Sequence, residues 1–277
     1  MIRYATLAYG DDPAVFRRAA MLLVSLVAYA PAAARELVVV TDRPERFVWF
    51  GTLVEIEHVD EGRLTAWRGT PVISMRQKLE AARLLVPASG ALVLLDADTL
   101  ALQDLHAFAD ALAGGALFMH RREYALGRTR RRGNRRLWRS LRGRTFAGWR
   151  VGADDAMWNS GVLAVPAADR ARLDEALALY DALAADGIDH FALEQLAEAI
   201  VLGRTGRLRE AAPWFAHYWG NKRGYDAEIA RRLADAFLDG GSVKDAAAAL
   251  REHPIDLPSE VRSSRGEKLA RWIRAPA

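Results

Sequence analysis

Two aspartates separated by one residue follow a run of apolar residues near the middle of the chain. The run is Ala91–Leu95, and Asp96 and Asp98 come next with Ala97 between them. Side chains two positions apart at a strand end, where regular pleating stops, can both turn toward one cleft. Carboxylate oxygens suit Mn²⁺ and Mg²⁺, and such an ion can bridge a diphosphate and neutralise its charge as it departs. Because Asp-x-Asp also occurs at strand ends by chance, the pattern needs support from other segments.

A second group of functional side chains lies between residues 217 and 222. The imidazole of His217 can supply a third metal ligand. Lys222, one of four lysines in the chain, can meet a phosphate oxygen as a point charge. Gly220 lies between them, after the aromatic pair Tyr218 and Trp219. The competing interpretation is an aromatic-rich core loop with a hydrogen-bonded histidine.

Asn159, Ser160 and Gly161 form a third candidate element, at the start of an apolar run that predicts a strand over Gly161–Val165. Asparagine and serine at this place can hydrogen-bond sugar hydroxyls, and a glycine allows the backbone to approach a ligand closely. An ordinary turn would use the same residue types.

The elements that must position these residues alternate between strand and helix. Strands are predicted at Ile2–Ala8, Glu36–Val40, Leu53–Val59, Ala91–Leu95, Ala116–Met119 and Gly161–Val165. Helices are predicted from Pro13 onward and over Ser74–Leu85, Leu102–Leu112, Ala171–Leu183, Ala192–Leu202 and, in two pieces, Tyr225–Leu250. This alternation is typical of an α/β fold with a mostly parallel sheet, in which ligands bind at the carboxyl ends of strands. The positions to inspect are therefore Tyr9, Asp42, Asp96 to Asp98 and His120.

In order and spacing, these elements resemble the GT-A glycosyltransferases, nucleotide-diphospho-sugar transferases, and most of all the family 8 type and its bacterial relatives. The resemblance covers about residues 2–222 and includes the ends of the first two strands, the lysine upstream of Asp-x-Asp, and the residues at 159–162, 194–195 and 217–222. It implies a Rossmann-like, mixed but mostly parallel sheet flanked by helices. A catalytic domain is then expected over residues 1–224 and a C-terminal helical extension over residues 225–277.

The resemblance also implies a role for each candidate residue. Asp96, Asp98 and His217 correspond to the ligands of a Mn²⁺ or Mg²⁺ ion. The implied donor-binding residues are Tyr9 (stacked on the base), Asp42, Lys78 (on the diphosphate), Asp96, Ala97, Asp98, Asn159, Ser160, Gly161 and Gly220. The implied catalytic residues are Lys222, on the leaving β-phosphate, with Glu194 and Gln195 near the reacting carbon of the sugar.

Two departures from the family 8 pattern bear on stereochemistry. Lys222 stands one residue closer to His217 than usual and Arg223-Gly224 follows it, while Glu194 replaces the usual aspartate. A retaining enzyme needs no dedicated base, since the leaving phosphate can accept the proton. An inverting enzyme needs a carboxylate facing the acceptor hydroxyl, and Glu194, Asp154 and Asp155 are the candidates. Retention is favoured over inversion.

The implied activity is metal-dependent transfer of a hexose from a nucleotide-diphosphate sugar, with UDP expected, to a hydroxyl acceptor such as a cell-surface or lipid-linked glycan. One alternative is a sugar-nucleotide pyrophosphorylase, although residues 8–11 do not form the expected Gly-rich loop with arginine. Another is a non-enzymatic module on a decayed transferase fold that binds anions or nucleic acid. The joint presence of Asp96, Asp98, His217 and Lys222 argues against decay.

Positive charge is concentrated in residues 121–150, here called the Arg-rich segment. It contains twelve arginines and one acid, Glu123, and so carries a net charge of +11, whereas the whole chain carries +4. Its glycines and weak apolar periodicity predict a long loop or lid. Docking on an acceptor or on anionic lipid is the favoured role. A basic helix predicted at Ser259–Arg274 could also contact a membrane surface, but packing on the domain is the favoured interpretation of that helix. A lid over the donor, nucleic-acid binding (the least favoured) and an inert insertion are the alternatives.

Composition excludes several classes of site. The chain of 277 residues contains no cysteine, so it has no disulfide framework, thiol nucleophile, Cys-ligated zinc or iron–sulfur cluster. No apolar run reaches the roughly 20 residues that span a bilayer. These features predict a cytoplasmic protein, with peripheral contact at the inner face of the membrane as a further expectation.

Overall fold

The computed structural model describes residues 1–69, 75–188 and 190–256. Its strands are β1 (Ile2–Ala8), β2 (Arg35–Thr41), β3 (Glu55–His58), β4 (Ala91–Leu95), β5 (Thr99–Ala101), β6 (Leu117–Ala125), β7 (Thr145–Phe146), β8 (Trp149–Arg150), β9 (Ala156–Pro166), β10 (Leu208–Glu210) and β11 (Phe215–His217). Its α-helices are α1 (Pro13–Tyr29), α2 (Glu61–Arg68), α3 (Arg76–Leu85), α4 (His106–Ala113), α5 (Arg132–Leu141), α6 (Ala171–Ala185), α7 (Leu193–Gly203), α8 (Lys222–Leu238) and α9 (Val243–Glu252). Most of the predicted strands and helices are therefore confirmed.

A seven-stranded sheet in the order β10-β6-β9-β4-β1-β2-β3 forms the centre of the protein. The strands β4, β1, β2 and β3 are mutually parallel, and β6 is parallel to β10. Only β9 runs against both of its neighbours in this sheet, β4 and β6. The predicted mixed, mostly parallel sheet is confirmed. Because β1, β2, β4 and β6 point the same way, their carboxyl ends share one edge of the sheet.

Helices cover both faces of the sheet, which explains why β4 is apolar at every position. On one face, Val93 and Leu95 share a core cluster with Leu22 of α1. On the other, Leu92 and Leu94 share a cluster with Ala82 of α3. The side chain of Asp12 caps α1 by accepting from the backbone N–H of Ala14, as its position before Pro13 predicts.

The C-terminal helices α8 and α9 pack on α1. Ile229 of α8 and Leu250 of α9 belong to the same core cluster as Leu22 of α1. The guanidinium of Arg18 binds the carboxylate of Asp226 through two contacts of 2.6 Å, which ties α1 to α8. A boundary after residue 224 stays a prediction, and the basic helix predicted at Ser259–Arg274 lies outside the described residues.

The prediction of a long loop for the Arg-rich segment is wrong. Strand β6 continues to Ala125, α5 follows, and β7 and β8 form a short antiparallel hairpin. A small apolar set anchors these elements in a core cluster shared with α6 and α7: Leu126, Leu137, Leu141 and Phe146. The surrounding arginines dilute this set in the sequence, which is why its periodicity is weak.

The predicted start of β9 at Gly161 is also wrong, because the strand begins at Ala156. Pairing with the extension of β6 adds these residues to the strand, in register from Ala125 opposite Ala156. Asn159 and Ser160 therefore lie within a strand, where alternate side chains point to opposite faces, and not in a turn. Among the described helices, none has the length and apolar character needed to cross a membrane.

Candidate metal centre and ligand cleft

Asp96, Asp98 and His217 meet at the carboxyl edge of the sheet. Asp96 follows β4, and its backbone N–H donates to the carbonyl of Gly161 in β9 at 2.9 Å. The pairing of β11 with β5 places His217 opposite Thr99. Nε2 of His217 lies 3.4 Å from a carboxylate oxygen of Asp98 and 3.6 Å from one of Asp96. One ligand atom from each of the three residues lies within 4.8 Å of the others.

The imidazole of His217 is oriented by Asn159. Its Nδ1 lies 2.6 Å from Oδ1 of Asn159, and the same oxygen accepts from the backbone N–H of Gly161 at 3.0 Å. An amide oxygen only accepts, so Nδ1 of His217 carries a hydrogen, and Nε2 is the ring nitrogen that faces the two carboxylates. Two carboxylates and an imidazole nitrogen fit a divalent ion such as Mn²⁺ or Mg²⁺.

Gly161 is required by the position of the His217 ring. A Cβ at residue 161 would lie 2.1 Å from Nδ1 of His217, which no side chain tolerates. A Cβ at Gly220, by contrast, would meet nothing within 4 Å. Of the two predicted glycines, the first therefore allows a close approach within the site, and the second has no such steric function.

Asp98 is buried between two basic groups. Besides His217, it contacts Nζ of Lys222, the first residue of α8, at 2.8 Å. Burial alone would raise the pKa of Asp98, but the hydrogen bond from His217 and the charge of Lys222 lower it well below its usual range. Asp98 is therefore an anionic ligand over the whole physiological range.

Asp96 also contacts a buried cluster of charged side chains on the inner side of the cleft. Nζ of Lys78 lies 2.7 Å from Oδ1 of Asp96, 3.1 Å from Oγ of Ser160 and 3.4 Å from a carboxylate oxygen of Glu194, and it also donates to the backbone carbonyl of Ser160. Burial lowers the pKa of Lys78, but Asp96, Glu194 and Glu198 together raise it more. Lys78 is thus an ammonium group bound to Asp96 and Ser160, and its contact with a diphosphate stays a prediction.

Glu198 also belongs to this cluster, although it was not among the site residues predicted from the sequence. It is fully buried in α7, and neither carboxylate oxygen has a hydrogen-bond partner. Burial raises its pKa well above the usual range, and the neighbouring Glu194 raises it further. The spacing of four residues from Glu194, one helical turn, was the available signal.

A cleft of about 990 Å³ opens over these residues. The predicted site residues that line it are Tyr9, Lys78, Asp96, Ala97, Asp98, Asn159, Ser160, Glu194, Gln195, His217 and Lys222. Gln195 accepts from the backbone N–H of Ser160 at 3.1 Å, which fixes its side chain against β9. Burial raises the pKa of Tyr9, whose ring lies at the carboxyl end of β1.

Asp42, Gly161 and Gly220 do not line the cleft. Asp42 directly follows β2, and its Oδ2 accepts from the backbone N–H of Gly10 at 3.1 Å, while its Oδ1 is buried without a hydrogen-bond partner. The cleft is also lined by residues that the sequence did not single out as binding residues: Arg121, Arg122, Arg128, Arg130, Arg131, Phe191 and Trp219. The long extension of β6 and β9 brings the arginines there, and their local charge density was the available signal.

Comparisons with known proteins give a match of fold and not of sequence. No protein-family model matches the chain, and no curated protein matches it. An active-site mutant of LgtC superposes with a TM-score of 0.50 at 13% identity, covering 76% of this chain and 72% of that one. The galactosyltransferase LgtC in complex with donor and acceptor sugar analogues gives 0.49 at 14% identity, covering 76% and 73%. The apo form of mouse xyloside xylosyltransferase 1 gives 0.48 at 14% identity, covering 76% and 85%. The chain therefore has the GT-A fold that its sequence predicted.

Proposed function

We propose that this protein is a metal-dependent glycosyltransferase that moves a hexose from a UDP-linked donor to a hydroxyl acceptor. The observation that carries the proposal is the convergence of Asp96, Asp98 and Nε2 of His217 at the carboxyl edge of a GT-A sheet, beside Lys222 and within one large cleft. Ligands bind at this edge in open α/β sheets.

The metal site is the first part of the proposed mechanism. Asp96, Asp98 and His217 would hold Mn²⁺ or Mg²⁺, which supplies charge neutralisation for the departing diphosphate. Lys222 is partly exposed and opens α8, so its ammonium can turn from Asp98 toward a β-phosphate oxygen. The amino end of the 17-residue helix α8 adds favourable dipole charge for the same anion.

Recognition of the nucleotide is assigned to the ends of β1 and β2. Tyr9 presents an aromatic ring to the cleft, which suits stacking on a base. Asp42 holds the backbone of Gly10 at this strand end. Asn159 orients His217, and the backbone N–H of Ser160 donates to the side chain of Gln195. Both residues therefore contribute to the donor pocket by positioning a neighbouring side chain.

The carboxylates considered as a base for inversion support retention instead. Glu194 is buried beside Lys78, and burial raises its pKa. Asp155 is bound to Arg204 at 2.7 Å and lies outside the cleft, as does the exposed Asp154. Glu194 is thus held in a buried ion pair and the other two lie outside the cleft, so none of the three presents a free carboxylate to an acceptor. In the proposed reaction the leaving phosphate accepts the proton of the acceptor hydroxyl, and Glu194 and Gln195 are the residues that the family resemblance assigns to the region near the reacting carbon.

A thermal-shift panel with UDP, GDP, ADP and CDP, each with and without Mn²⁺, tests this proposal. A ligand that binds only the folded protein raises its Tm, so we expect one nucleotide, UDP, to raise it only with metal. The shift should vanish in Asp98→Asn and persist in Asp110→Asn, a matched change at an exposed position of α4. A metal-dependent shift with transfer of the sugar to added acceptors establishes the activity.

Two further measurements beside the panel separate the alternatives. Pyrophosphate-dependent formation of a nucleoside triphosphate from the sugar nucleotide would indicate a pyrophosphorylase. No shift with any nucleotide, together with salt-sensitive binding of RNA or DNA, would indicate a non-enzymatic module. The proposed location is the cytoplasm or the inner face of the membrane, and fractionation of the expressing cells tests it.

A further inference from the structure

Strands β6 and β9 extend beyond the rest of the sheet and form one wall of the cleft. Pairing of β9 with β4 ends at Val162 opposite Leu95, whereas pairing with β6 continues to Ala156 opposite Ala125. The wall thus passes the level of Asp96 by five residues, or about 17 Å at the usual rise per residue. The cleft therefore extends beyond the metal centre, which lies at its inner end.

The outer wall of the cleft is basic. Five exposed arginines from β6 and the loop after it line it: Arg121, Arg122, Arg128, Arg130 and Arg131. Glu123 is an acid on the same wall. Within the part of the chain that the structure describes, no carboxylate pairs with the side chain of Arg121, Arg122, Arg130 or Arg131, and Arg128 has only a 3.8 Å contact with the exposed Asp154.

Several arginines in other parts of the described chain are bound to acids. Arg18 binds Asp226 at 2.6 Å, and Arg204 binds Asp155 at 2.7 Å. Unpaired guanidinium groups that converge on one cleft repel each other, and this repulsion is relieved when an anion binds. The arrangement therefore points to an anionic ligand.

Exposed aromatic rings line the same cleft. Phe191 is 69% exposed and Trp219 is 60% exposed, and both border the cleft together with Tyr124. Large exposed aromatic side chains in a concave surface are typical of binding sites. Their faces suit the apolar C–H faces of sugar rings.

We propose that the cleft binds, beyond the metal centre, an acceptor saccharide that carries carboxylate or phosphate groups, with the arginines on its charges and the aromatic rings that border the cleft on its sugar faces. This proposal rests on the proposed function and names its acceptor class. The charge of the donor diphosphate is met at the inner end by the metal site and Lys222, so the outer arginines recognise a second anion. They line a cleft that also holds the candidate metal centre, which favours a saccharide that can enter the cleft over a flat lipid surface.

Direct binding of matched saccharides to the full chain tests the proposal without a donor. The probes are trigalacturonic acid against its neutral methyl ester, and a mannose disaccharide with and without a 6-phosphate. We expect at least one anionic member to bind about tenfold more tightly than its neutral partner, with a preference that shows whether carboxylate or phosphate is the group recognised.

Two double variants with the same change in charge locate the site. Arg130→Gln/Arg131→Gln removes two arginines from the cleft, and Arg135→Gln/Arg136→Gln removes two exposed arginines of α5 that do not line it. The first should abolish the tenfold preference, and the second should change it less than twofold. Equal losses in both variants, equal affinity for charged and neutral saccharides, or tighter binding to phosphatidylglycerol vesicles than to any saccharide would overturn the proposal.

The nucleotide panel keeps the two proposals distinguishable. If nucleotides with metal raise the Tm and the saccharides bind without charge preference, the transferase stands and the anionic acceptor falls. If the anionic saccharides bind through Arg130 and Arg131 but no nucleotide binds, the saccharide site stands and the transferase falls. If both proposals hold, Arg130→Gln/Arg131→Gln raises the KM for the anionic acceptor and leaves metal-dependent UDP binding unchanged.

Discussion

Oδ1 of Asn159 lies 2.6 Å from Nδ1 of His217 and holds the ring so that its other nitrogen, Nε2, faces Asp96 and Asp98. Asn159 is thus a positioning residue for the metal site and not one of its ligands. Its place within β9 gives it a rigid backbone, since this part of the strand is paired with β6. Histidines that bind metals generally donate their other ring N–H to an oxygen acceptor in this way, which fixes the orientation of the ring.

Removal of this hydrogen bond should weaken metal binding. Asn159→Leu leaves the ligands in place but frees the His217 ring, and we expect the affinity for Mn²⁺ to fall about 10- to 100-fold. Titration of the Mn²⁺-dependent thermal shift with UDP measures it. Asn134→Leu, a change of the same kind at the outer end of the cleft, should leave the affinity unchanged. Equal affinities in both variants would show that Asn159 has no part in orienting the ring.

The two glycines of the predicted site should respond differently to a single added methyl group. Gly161→Ala places Cβ 2.1 Å from the His217 ring, so the ring must move and the protein should lose about 1–3 kcal/mol of unfolding free energy along with metal-dependent nucleotide binding. Gly220→Ala meets open space and should cost less than about 0.5 kcal/mol. Urea unfolding and the UDP shift measure both. If Gly161→Ala keeps both the stability and the UDP shift of the wild type, the His217 ring does not lie against Gly161 in solution.

The inner part of the site was predictable from sequence because its signals are local. Asp96 and Asp98 directly follow an apolar strand, and the carboxyl end of a parallel strand is a known ligand position. His217 lies far along the chain, and only the antiparallel pairing of β11 with β5 brings it to the aspartates. The resemblance to a family provided that long-range contact in advance, since no local pattern encodes it.

The outer wall was less predictable because its elements depend on tertiary packing. The few apolar residues of α5, Leu137 and Leu141 among them, are buried only because α6 and α7 offer a surface to them. The early start of β9 likewise depends on its partner β6. Charge density pointed to a function for the Arg-rich segment, but only the fold places some of its arginines in the cleft and others on the outer face of α5.

Glu198 should make the stability of the protein depend on pH. Its pKa in the folded protein is raised well above the ordinary value of 4.5, so its contribution to stability is complete below that pH and is lost as the pH rises through the folded pKa. Glu198→Gln cannot ionise and removes this dependence. We expect the variant to match the wild type near pH 4 and to be more stable than it at pH 8, by urea unfolding. Equal destabilisation of the variant at both pH values would instead indicate an ionised, paired Glu198.

Lys78 is the one ammonium group in contact with both Asp96 and Glu194 among the described residues, and its loss should destabilise the fold. Lys78→Met leaves buried carboxylates without a counter-charge, and breaking such a pair costs about 3–5 kcal/mol. The exposed change Lys244→Met on α9 should cost less than about 0.5 kcal/mol. Adding Glu194→Gln to Lys78→Met removes one of the stranded charges, so the double variant should regain about 1–3 kcal/mol relative to additivity. Urea unfolding at pH 7 gives the free energies of unfolding of the wild type, the two single variants and the double variant, from which the coupling is calculated. If Lys78→Met is as stable as the wild type but loses UDP binding, the lysine serves the donor diphosphate and not the support of Asp96.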